Sequence, residues 1–293
     1  MNTAISYRTL ISCAELHGLY AQPTALVVLD CGFDLGDPQR GQHEFDAAHL
    51  PQAQYVHLER DLSGPKTGRN GRHPLPERQL LAMRAGALGI TPGVQVVCYD
   101  AQGLHYAARA WWLLRWLSHD AVAVLDGGLD AWRTAGGELS SAAPTCTPRP
   151  PYPVAGVGMP TVDADTLLGA LGHRAILDAR AGERFRGELE PLDAVAGHIP
   201  GAHQRFFKDN LFDDGCFKPV AALRDAFALW AAAPQHLVHQ CGSGVSACHN
   251  LLAMEHAGLS GSALYPGSWS EWCADPLRPV ARPGFGYAGF GAR

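Results

Sequence analysis

Short apolar runs alternate with segments of helical spacing along the whole chain. The runs are rich in valine, isoleucine and leucine, which is typical of strands buried on both faces. The predicted strands cover residues 25–30, 94–99, 121–125, 175–178, 236–239 and 262–265. The predicted helices cover residues 76–88, 104–117, 225–232 and 245–257. Alternating strands and helices predict an α/β fold in which mainly parallel sheets carry helices on both faces.

The second half of the chain repeats motifs of the first half in the same order. Val-Val-Leu-Asp at 27–30 matches Ala-Ile-Leu-Asp at 175–178, and His-Leu-Pro at 49–51 matches His-Ile-Pro at 198–200. Two weaker pairs join 11–16 to 162–167 and 128–132 to 267–272. One pair could arise by chance, but four pairs in one order predict two tandem copies of the same domain.

A proline-rich segment separates the two copies. Six prolines lie between residues 140 and 160. Proline fixes its own φ and pushes the preceding residue towards extended geometry, so this segment is expected to be extended rather than helical. We therefore predict a first domain at 1–139, a linker at 140–160 and a second domain at 161–293.

Composition and charge narrow the class of protein. The 293 residues include 23 Lys and Arg against 28 Asp and Glu, so no basic excess exists to bind nucleic acid or an anionic membrane surface. No apolar run approaches the roughly 18 residues of a membrane span, and the N-terminus lacks the apolar core of a secretory signal. We expect a cytoplasmic protein whose eight cysteines are free thiols.

The loop after the predicted strand 236–239 carries the strongest chemical signal. Cys241 follows the strand directly, small residues come next, and a predicted helix begins at 245. Such a loop turns several backbone N–H groups inward, and the helix adds the positive end of its dipole. A thiol placed there is expected to be a thiolate nucleophile. The alternative is a small buried cysteine in a tight turn.

These residues resemble the rhodanese superfamily. Cys-Gly-Ser-Gly-Val-Ser-Ala at 241–247 is similar to the active-site loop of its 3-mercaptopyruvate branch, which usually has threonine at the position of Ser246. Further similar segments are Asp-Ala-Arg at 178–180, Arg-Phe-Arg-Gly at 184–187, Gly-His-Ile-Pro-Gly-Ala at 197–202 and Tyr-Pro-Gly-Ser-Trp at 265–269. The resemblance covers the chain as two tandem rhodanese-like domains. It implies a sulfurtransferase in which Cys241 takes sulfur from a small-molecule donor as a persulfide, then passes it to cyanide, a small thiol or a thioredoxin-type acceptor.

The resemblance also assigns roles to individual residues. Arg184 matches an arginine that binds the donor carboxylate. Asp61 and His73 match two residues of the inactive domain that form a hydrogen-bonded triad with Ser243 and help to activate the donor. The remaining loop residues expected to contact the donor are Gly242, Gly244, Val245 and Ser246, and Trp269 is expected to border it. No metal and no cofactor is implied.

The identity of the donor stays open at this point. The neutral residues Gly242 and Ser243 favour 3-mercaptopyruvate, because thiosulfate-type loops usually carry Arg and Lys there. However, the mercaptopyruvate branch has a second arginine nine residues after the first, and here that position is Asp193. An acid there is more typical of thiosulfate-type enzymes. Both donors therefore remain possible.

Other classes of protein fit the chain less well. An alignment of Val97 with Leu237 places Ala101 opposite Cys241, so the first domain is expected to be catalytically silent. A related cysteine phosphatase needs an arginine where this loop has Ala247. A zinc site built from the cysteines and histidines near 241 lacks the usual Cys-x2-Cys pair. A non-enzymatic interaction module is the remaining alternative.

Cys248 is expected to be buried, although a thiol that resolves the persulfide is also conceivable.

Overall fold

The computed structural model of the chain describes residues 6–22, 25–154, 156 and 158–282, in which two sheets lie one after the other along the sequence. The elements of the first half are β1 (Leu10–Ile11), α1 (Cys13–Tyr20), β2 (Leu26–Asp30), α2 (Arg40–Ala47), β3 (Gln54–Tyr55), α3 (Arg78–Ala87), β4 (Gln95–Tyr99), α4 (His105–Trp116), β5 (Val122–Leu125) and α5 (Gly128–Thr134). Those of the second half are α6 (Ala164–Gly169), β6 (Ala175–Asp178), α7 (Gly182–Arg186), β7 (Ala202–Gln204), α8 (Val220–Ala226), β8 (Leu237–Gln240), α9 (Ala247–His256), β9 (Ala263–Leu264) and α10 (Ser268–Trp272). Short 3₁₀ helices lie at Phe207–Asn210, Ala228–Trp230 and Pro234–His236.

The two sheets share one topology. The first has the order β3-β2-β4-β5-β1 and the second the order β7-β6-β8-β9, with every strand pair parallel. Thr161 forms a parallel bridge with Leu264, which gives the second sheet a counterpart of β1 at its edge. The prediction of an α/β fold with two tandem, mainly parallel domains is thus confirmed.

The halves meet along two helices and share one apolar core. Helix α4 packs against α9, and a single cluster of buried side chains continues through this contact from Trp112 of the first half to Leu251 of the second. Burial of apolar area is the main favourable contribution to folding, so this contact stabilises the arrangement of the two halves. It also places α9, and with it the loop that joins Cys241 to this helix, against the first half.

One predicted helix is wrong in position. The pattern predicts a helix at 225–232, whereas the structure has α8 at Val220–Ala226 followed by the 3₁₀ turn Ala228–Trp230. Pro219, with φ −57°, precedes the first helical residue. Leu223 and Phe227 are buried, whereas Leu229 is 86% exposed. The buried face formed by Leu223 and Phe227 therefore does not continue to Leu229.

The limits of the domains and the cellular location stay predictions. Residues 140–154 contain no helix or strand, and Ser140 forms an antiparallel bridge with His49. In the ranges that the structure describes, no helix is both long enough and apolar enough to cross a membrane.

The loop after β4 holds a buried carboxylate in a ring of backbone amides. Asp100 is 1% exposed, and its side chain accepts hydrogen bonds from the N–H groups of Gln102, Leu104, Tyr106 and Ala107 at 2.8–3.0 Å. These donors belong to the loop and to the first turn of α4, where orphan N–H groups stabilise an anion. The first half therefore holds a carboxylate inside this loop.

Asp100, not Ala101, occupies the position of Cys241. Tyr99 pairs with Asp30 as Gln240 pairs with Asp178, so the next residues, Asp100 and Cys241, are equivalent. The Asp100 carbonyl accepts from the N–H of Leu129, as the Cys241 carbonyl does from Trp269. The alignment that chose Ala101 was displaced by one residue because the valine-rich strand gives no unique register.

We expect Asp100→Ala to lower stability without removing the fold. The substitution leaves four amides without their acceptor, and hydrogen bonds to charged groups are worth about 1.5–3 kcal/mol each but are not additive, so the expected loss is about 2–4 kcal/mol. Urea unfolding followed by circular dichroism measures it. Asp130→Ala, at an exposed position of α5, is the control. Equal midpoints for the two variants would contradict the role given to the Asp100 carboxylate.

Candidate active site

Cys241 lies at the carboxyl end of β8, at the start of a loop that turns into α9. The residue is 2% exposed, and its Sγ accepts a hydrogen bond from the N–H of Gly244 at 3.2 Å. Gly244 has φ +77°, and a Cβ there would lie 2.3 Å from the carbonyl oxygen of Pro266. Only glycine fits this position, and its geometry turns the backbone N–H towards the sulfur.

The start of α10 holds the loop in place. The N–H of Cys241 donates to Ser268 Oγ at 3.1 Å, and the N–H of Trp269 donates to the Cys241 carbonyl at 3.0 Å. The N–H of Ser270 donates to the Gly242 carbonyl at 2.9 Å. The position of Cys241 is therefore set by backbone contacts on both sides of its peptide.

The prediction that Trp269 borders the cavity is wrong. Its side chain is fully buried, and its Nε1 donates to the carbonyl of Val195 at 2.8 Å. The Arg180 guanidinium lies over the ring, 5.0 Å from its centroid. Because residue 269 lies in the first turn of α10, its side chain joins the core behind the loop, and only its backbone serves the site.

Arg109 ties this loop to the first half, and the sequence analysis missed it. The side chain comes from α4 and has no exposed surface. Its Nη1 donates to the Gly244 carbonyl at 3.0 Å, and its Nη2 donates to the His73 carbonyl at 3.1 Å. The available signal was an arginine in the middle of an apolar helical pattern.

Cys248 belongs to the packing of α9. It is fully buried, and its Sγ donates to the Gly244 carbonyl at 3.4 Å. Burial raises the pKa of the Cys248 thiol to about 12, so the thiol stays protonated at neutral pH. The expectation that Cys248 is buried is confirmed.

Ser243 and His73 come together across the two halves of the chain. Ser243 Oγ lies 2.8 Å from His73 Nδ1, although 170 residues separate them. Burial and the nearby cations of Arg109, Lys66 and Arg72 lower the pKa of His73 to about 3. The ring is therefore neutral at physiological pH. A proton on Nε2 leaves Nδ1 free to accept from the Ser243 hydroxyl.

The prediction that Asp61 contacts His73 is wrong: Glu59 is the acid on the far side of the ring, at a distance longer than a hydrogen bond. Glu59 Oε1 lies 3.8 Å from His73 Nε2. Asp61 instead accepts from the N–H of His57 at 2.8 Å and pairs with Arg60 at 2.8 Å. Its side chain thus folds back onto its own turn. The path of the loop between Asp61 and His73 was not specified by sequence. The sequence alone therefore did not show which nearby acid would face the His73 ring.

A cavity of 220 Å³ opens over Cys241. Of the residues predicted to contact the donor, Gly242, Ser243, Val245, Ser246 and Arg184 line it. Arg184 lies at its wall, where Nη2 donates to Glu190 at 2.6 Å and to Asp193 at 3.4 Å. Gly244 contributes through its N–H, as described above. The structure thus brings the predicted loop residues and Arg184 together around one thiol.

A larger cavity of 450 Å³ lies at the equivalent edge of the first sheet. Its lining includes Asp30, Asp34, Glu44 and Ala101, and no cysteine. Cavity volume alone therefore does not identify the candidate active site, since Cys241 lies at the smaller cavity. Among the described residues, no three His, Cys, Asp or Glu side chains converge as metal ligands.

The chain is similar to known sulfurtransferases over nearly its whole length. The family model "Rhodanese-like domain" matches residues 14–135 and 163–275. A probable 3-mercaptopyruvate sulfurtransferase of Pseudomonas aeruginosa is 47% identical over 287 residues, which cover 94% of this chain and 99% of the relative. A putative thiosulfate sulfurtransferase of Mycobacterium tuberculosis is 38% identical and covers 94% and 97%.

Human 3-mercaptopyruvate sulfurtransferase is 34% identical over 90% of this chain and 92% of its own length. The solved 3-mercaptopyruvate sulfurtransferase from Leishmania major superposes with a TM-score of 0.80 at 28% identity, and covers 90% of this chain and 74% of that one. The two matched regions correspond to the two sheets, and the second contains the Cys241 loop. The chain therefore belongs to the rhodanese-like family, as two tandem domains, and is a sulfur-transferring enzyme.

Proposed function

We propose that the protein transfers sulfur from 3-mercaptopyruvate to a thiol or cyanide acceptor through a persulfide on Cys241. One observation carries this proposal: Cys241 Sγ, the Ser243–His73 pair and the Arg184 guanidinium surround a single cavity. A nucleophile, a hydrogen-bonding group and a carboxylate-binding cation are what a short α-keto acid that carries a thiol would require. The first domain has no nucleophile in the equivalent loop and is proposed to be silent.

The first half-reaction is balanced with the donor alone. The Cys241 thiolate attacks the donor sulfur, an S–S bond forms, and the C–S bond of the donor breaks. Its electron pair stays on carbon as an enolate, which takes the thiol proton and leaves as pyruvate. The charge that was on Cys241 then lies on the outer sulfur of the persulfide. The amides of the loop, of which Gly244 N–H is nearest to Sγ, stabilise this charge.

Ser243 is the group proposed to polarise the donor. Its hydroxyl lies on the cavity wall and touches His73 Nδ1 at 2.8 Å. As negative charge develops on the donor's carbonyl oxygen, a hydroxyl positioned by neutral His73 can donate to it. Glu59 faces the opposite edge of the ring and favours the proton on Nε2. Lys66 pairs with Glu59 at 2.5 Å and partly neutralises it.

The balance of charge around the cavity favours a singly charged donor. The cations at its wall are Arg72, Arg180 and Arg184. Each is already paired with an acid of the same region, namely Asp193, Asp178 and Glu190 respectively. Thiosulfate would bring two negative charges to a wall without excess positive charge. An α-keto carboxylate brings one and adds a carbonyl that Ser243 can contact.

The second half-reaction returns the free thiol. The acceptor attacks the outer sulfur, and the S–S bond breaks with its electrons on Cys241 Sγ, which regains its negative charge. Cyanide leaves as thiocyanate, and a thiol leaves as a persulfide. Leu35 and Leu192 line the cavity and are exposed to solvent. They offer an apolar contact to a small thiol or to the reactive end of a thioredoxin-type protein.

We expect Cys241→Ser to abolish transfer. Incubation of the wild-type protein with 3-mercaptopyruvate, without acceptor, should add one sulfur to the tryptic peptide that contains Cys241, as seen by mass spectrometry. Cys146→Ser removes an exposed thiol outside the site and should keep both the modification and the turnover. Sulfur found on another cysteine, with turnover intact in Cys241→Ser, would refute the proposal.

The choice of donor is tested by steady-state assays with cyanide as the acceptor. We expect kcat/KM for 3-mercaptopyruvate to exceed that for thiosulfate by about tenfold or more, since one charge-assisted contact is worth about 1.5–3 kcal/mol. A preference for thiosulfate would show instead that groups other than Ser243 and Arg184 select the donor. Absence of turnover with either donor would favour a non-enzymatic role.

We expect the contribution of His73 to be independent of pH between 5 and 8. Its pKa of about 3 keeps the ring neutral throughout that range, so protonation does not remove its acceptor atom. The rate of persulfide formation in single turnovers should fall roughly tenfold in His73→Gln, for the loss of one well-placed hydrogen bond. The ratio of wild-type to variant rates should stay constant with pH. A ratio that collapses below pH 6.5 would show that the ring titrates normally.

A further inference from the structure

Arg72 brings a guanidinium to the Cys241 cavity from the first half of the chain. The residue lies between β3 and α3, and its side chain lines the cavity next to Arg184 and Gly242. A Cβ built on Gly242 would lie 2.9 Å from Arg72 Nη2 and 3.4 Å from Arg184 Nη1. The two guanidinium groups therefore converge above the residue that follows the nucleophile.

The segment that carries Arg72 is fixed to the second half. The N–H of Arg72 donates to Ser270 Oγ at 3.0 Å, and Gly71 has φ +82°. A Cβ on Gly71 would lie 2.7 Å from the carbonyl oxygen of Gly267. Glycine permits this close approach, and the contact sets where the next side chain begins.

Asp193 holds the Arg72 side chain at the cavity. Arg72 Nη1 donates to Asp193 Oδ1, and Arg184 Nη2 lies 3.4 Å from Asp193 Oδ2, so one carboxylate touches both arginines. Asp193 is 5% exposed in its side chain, and Arg72 26%. The Nε of Arg72 is buried and, among the described residues, has no hydrogen-bond partner. The guanidinium thus has donors left beyond its pair with Asp193.

We propose that Arg72 is the second carboxylate-binding residue for the donor, and that Asp193 is its positioning residue. This inference rests on the proposed function. The donor carboxylate would accept from Arg184 and Arg72 together while Asp193 keeps them side by side. An acid at position 193 is then the anchor of an arginine that reaches the site from another part of the chain, and it does not weaken binding of the carboxylate.

The test compares two donors that differ in the carboxylate alone. One is 3-mercaptopyruvate, and the other is mercaptoacetone, in which a methyl group replaces the carboxylate. Arg72→Gln should raise KM for 3-mercaptopyruvate roughly tenfold to a hundredfold and leave kcat within about twofold, as expected for lost binding to a charged group. Its kcat/KM for mercaptoacetone should change by less than about twofold, since the uniform binding lost is that of the carboxylate. Arg69→Gln, an exposed arginine of the same loop, is the control.

An exchange of the two charges tests the pairing with Asp193. Arg72→Asp alone puts two acids together and should raise KM for 3-mercaptopyruvate most. The double variant Arg72→Asp/Asp193→Arg restores the pair with the guanidinium supplied from position 193, and its KM should return towards that of the wild type. A double variant as impaired as Arg72→Gln would contradict the arrangement.

The outcomes separate this inference from the proposed function. If the wild-type protein does not use 3-mercaptopyruvate, the proposed function is refuted, and the proposed carboxylate site is refuted with it. If the wild type uses 3-mercaptopyruvate and Arg72→Gln keeps the wild-type KM, only the role of Arg72 is refuted. Equal losses for both donors would mean that Arg72 merely supports the structure, which also refutes it.

Discussion

A guanidinium with no access to solvent joins the two halves of the protein at the place where chemistry occurs. Arg109 donates to the carbonyl of Gly244 in the cysteine loop and to the carbonyl of His73 in the first half. An unpaired buried charge is costly, so this side chain is stable only while both segments keep their positions. The placement of His73 against Ser243 therefore depends in part on a residue that does not line the cavity.

The same arrangement gives the first half of the chain a part in the candidate site. The second half alone supplies Cys241, Ser243 and Arg184, whereas His73, Glu59 and Arg72 come from a loop of the first half. Neither half holds the complete set. Because the core continues through α4 and α9, small displacements between the halves are resisted by close packing as well as by hydrogen bonds.

The sequence predicted local patterns well and long loops poorly. The strand that ends at Gln240, the loop of small residues and the helix beyond it follow from neighbouring residues, and they lie where the pattern placed them. The prediction that Asp61 contacts His73 failed because this acid lies before a loop whose path depends on contacts with the second half. Trp269 failed for another reason. Its backbone lies beside Cys241, but the helical turn directs the ring away.

The carboxylate of Asp100 shows that the loop geometry around Cys241 can hold a negative charge. It lies at the residue equivalent to Cys241 and is held by backbone amides alone, without a solvent shell. The molecule thus contains two copies of one loop geometry, and each copy can hold an anion. In one copy the anion is encoded in the chain and lasts as long as the fold. In the other, under the proposed function, the anion is the outer sulfur of a persulfide, which arrives with the donor and departs with the acceptor. The proposed reaction would then need little reorganisation of the loop, because the same geometry already holds the Asp100 carboxylate.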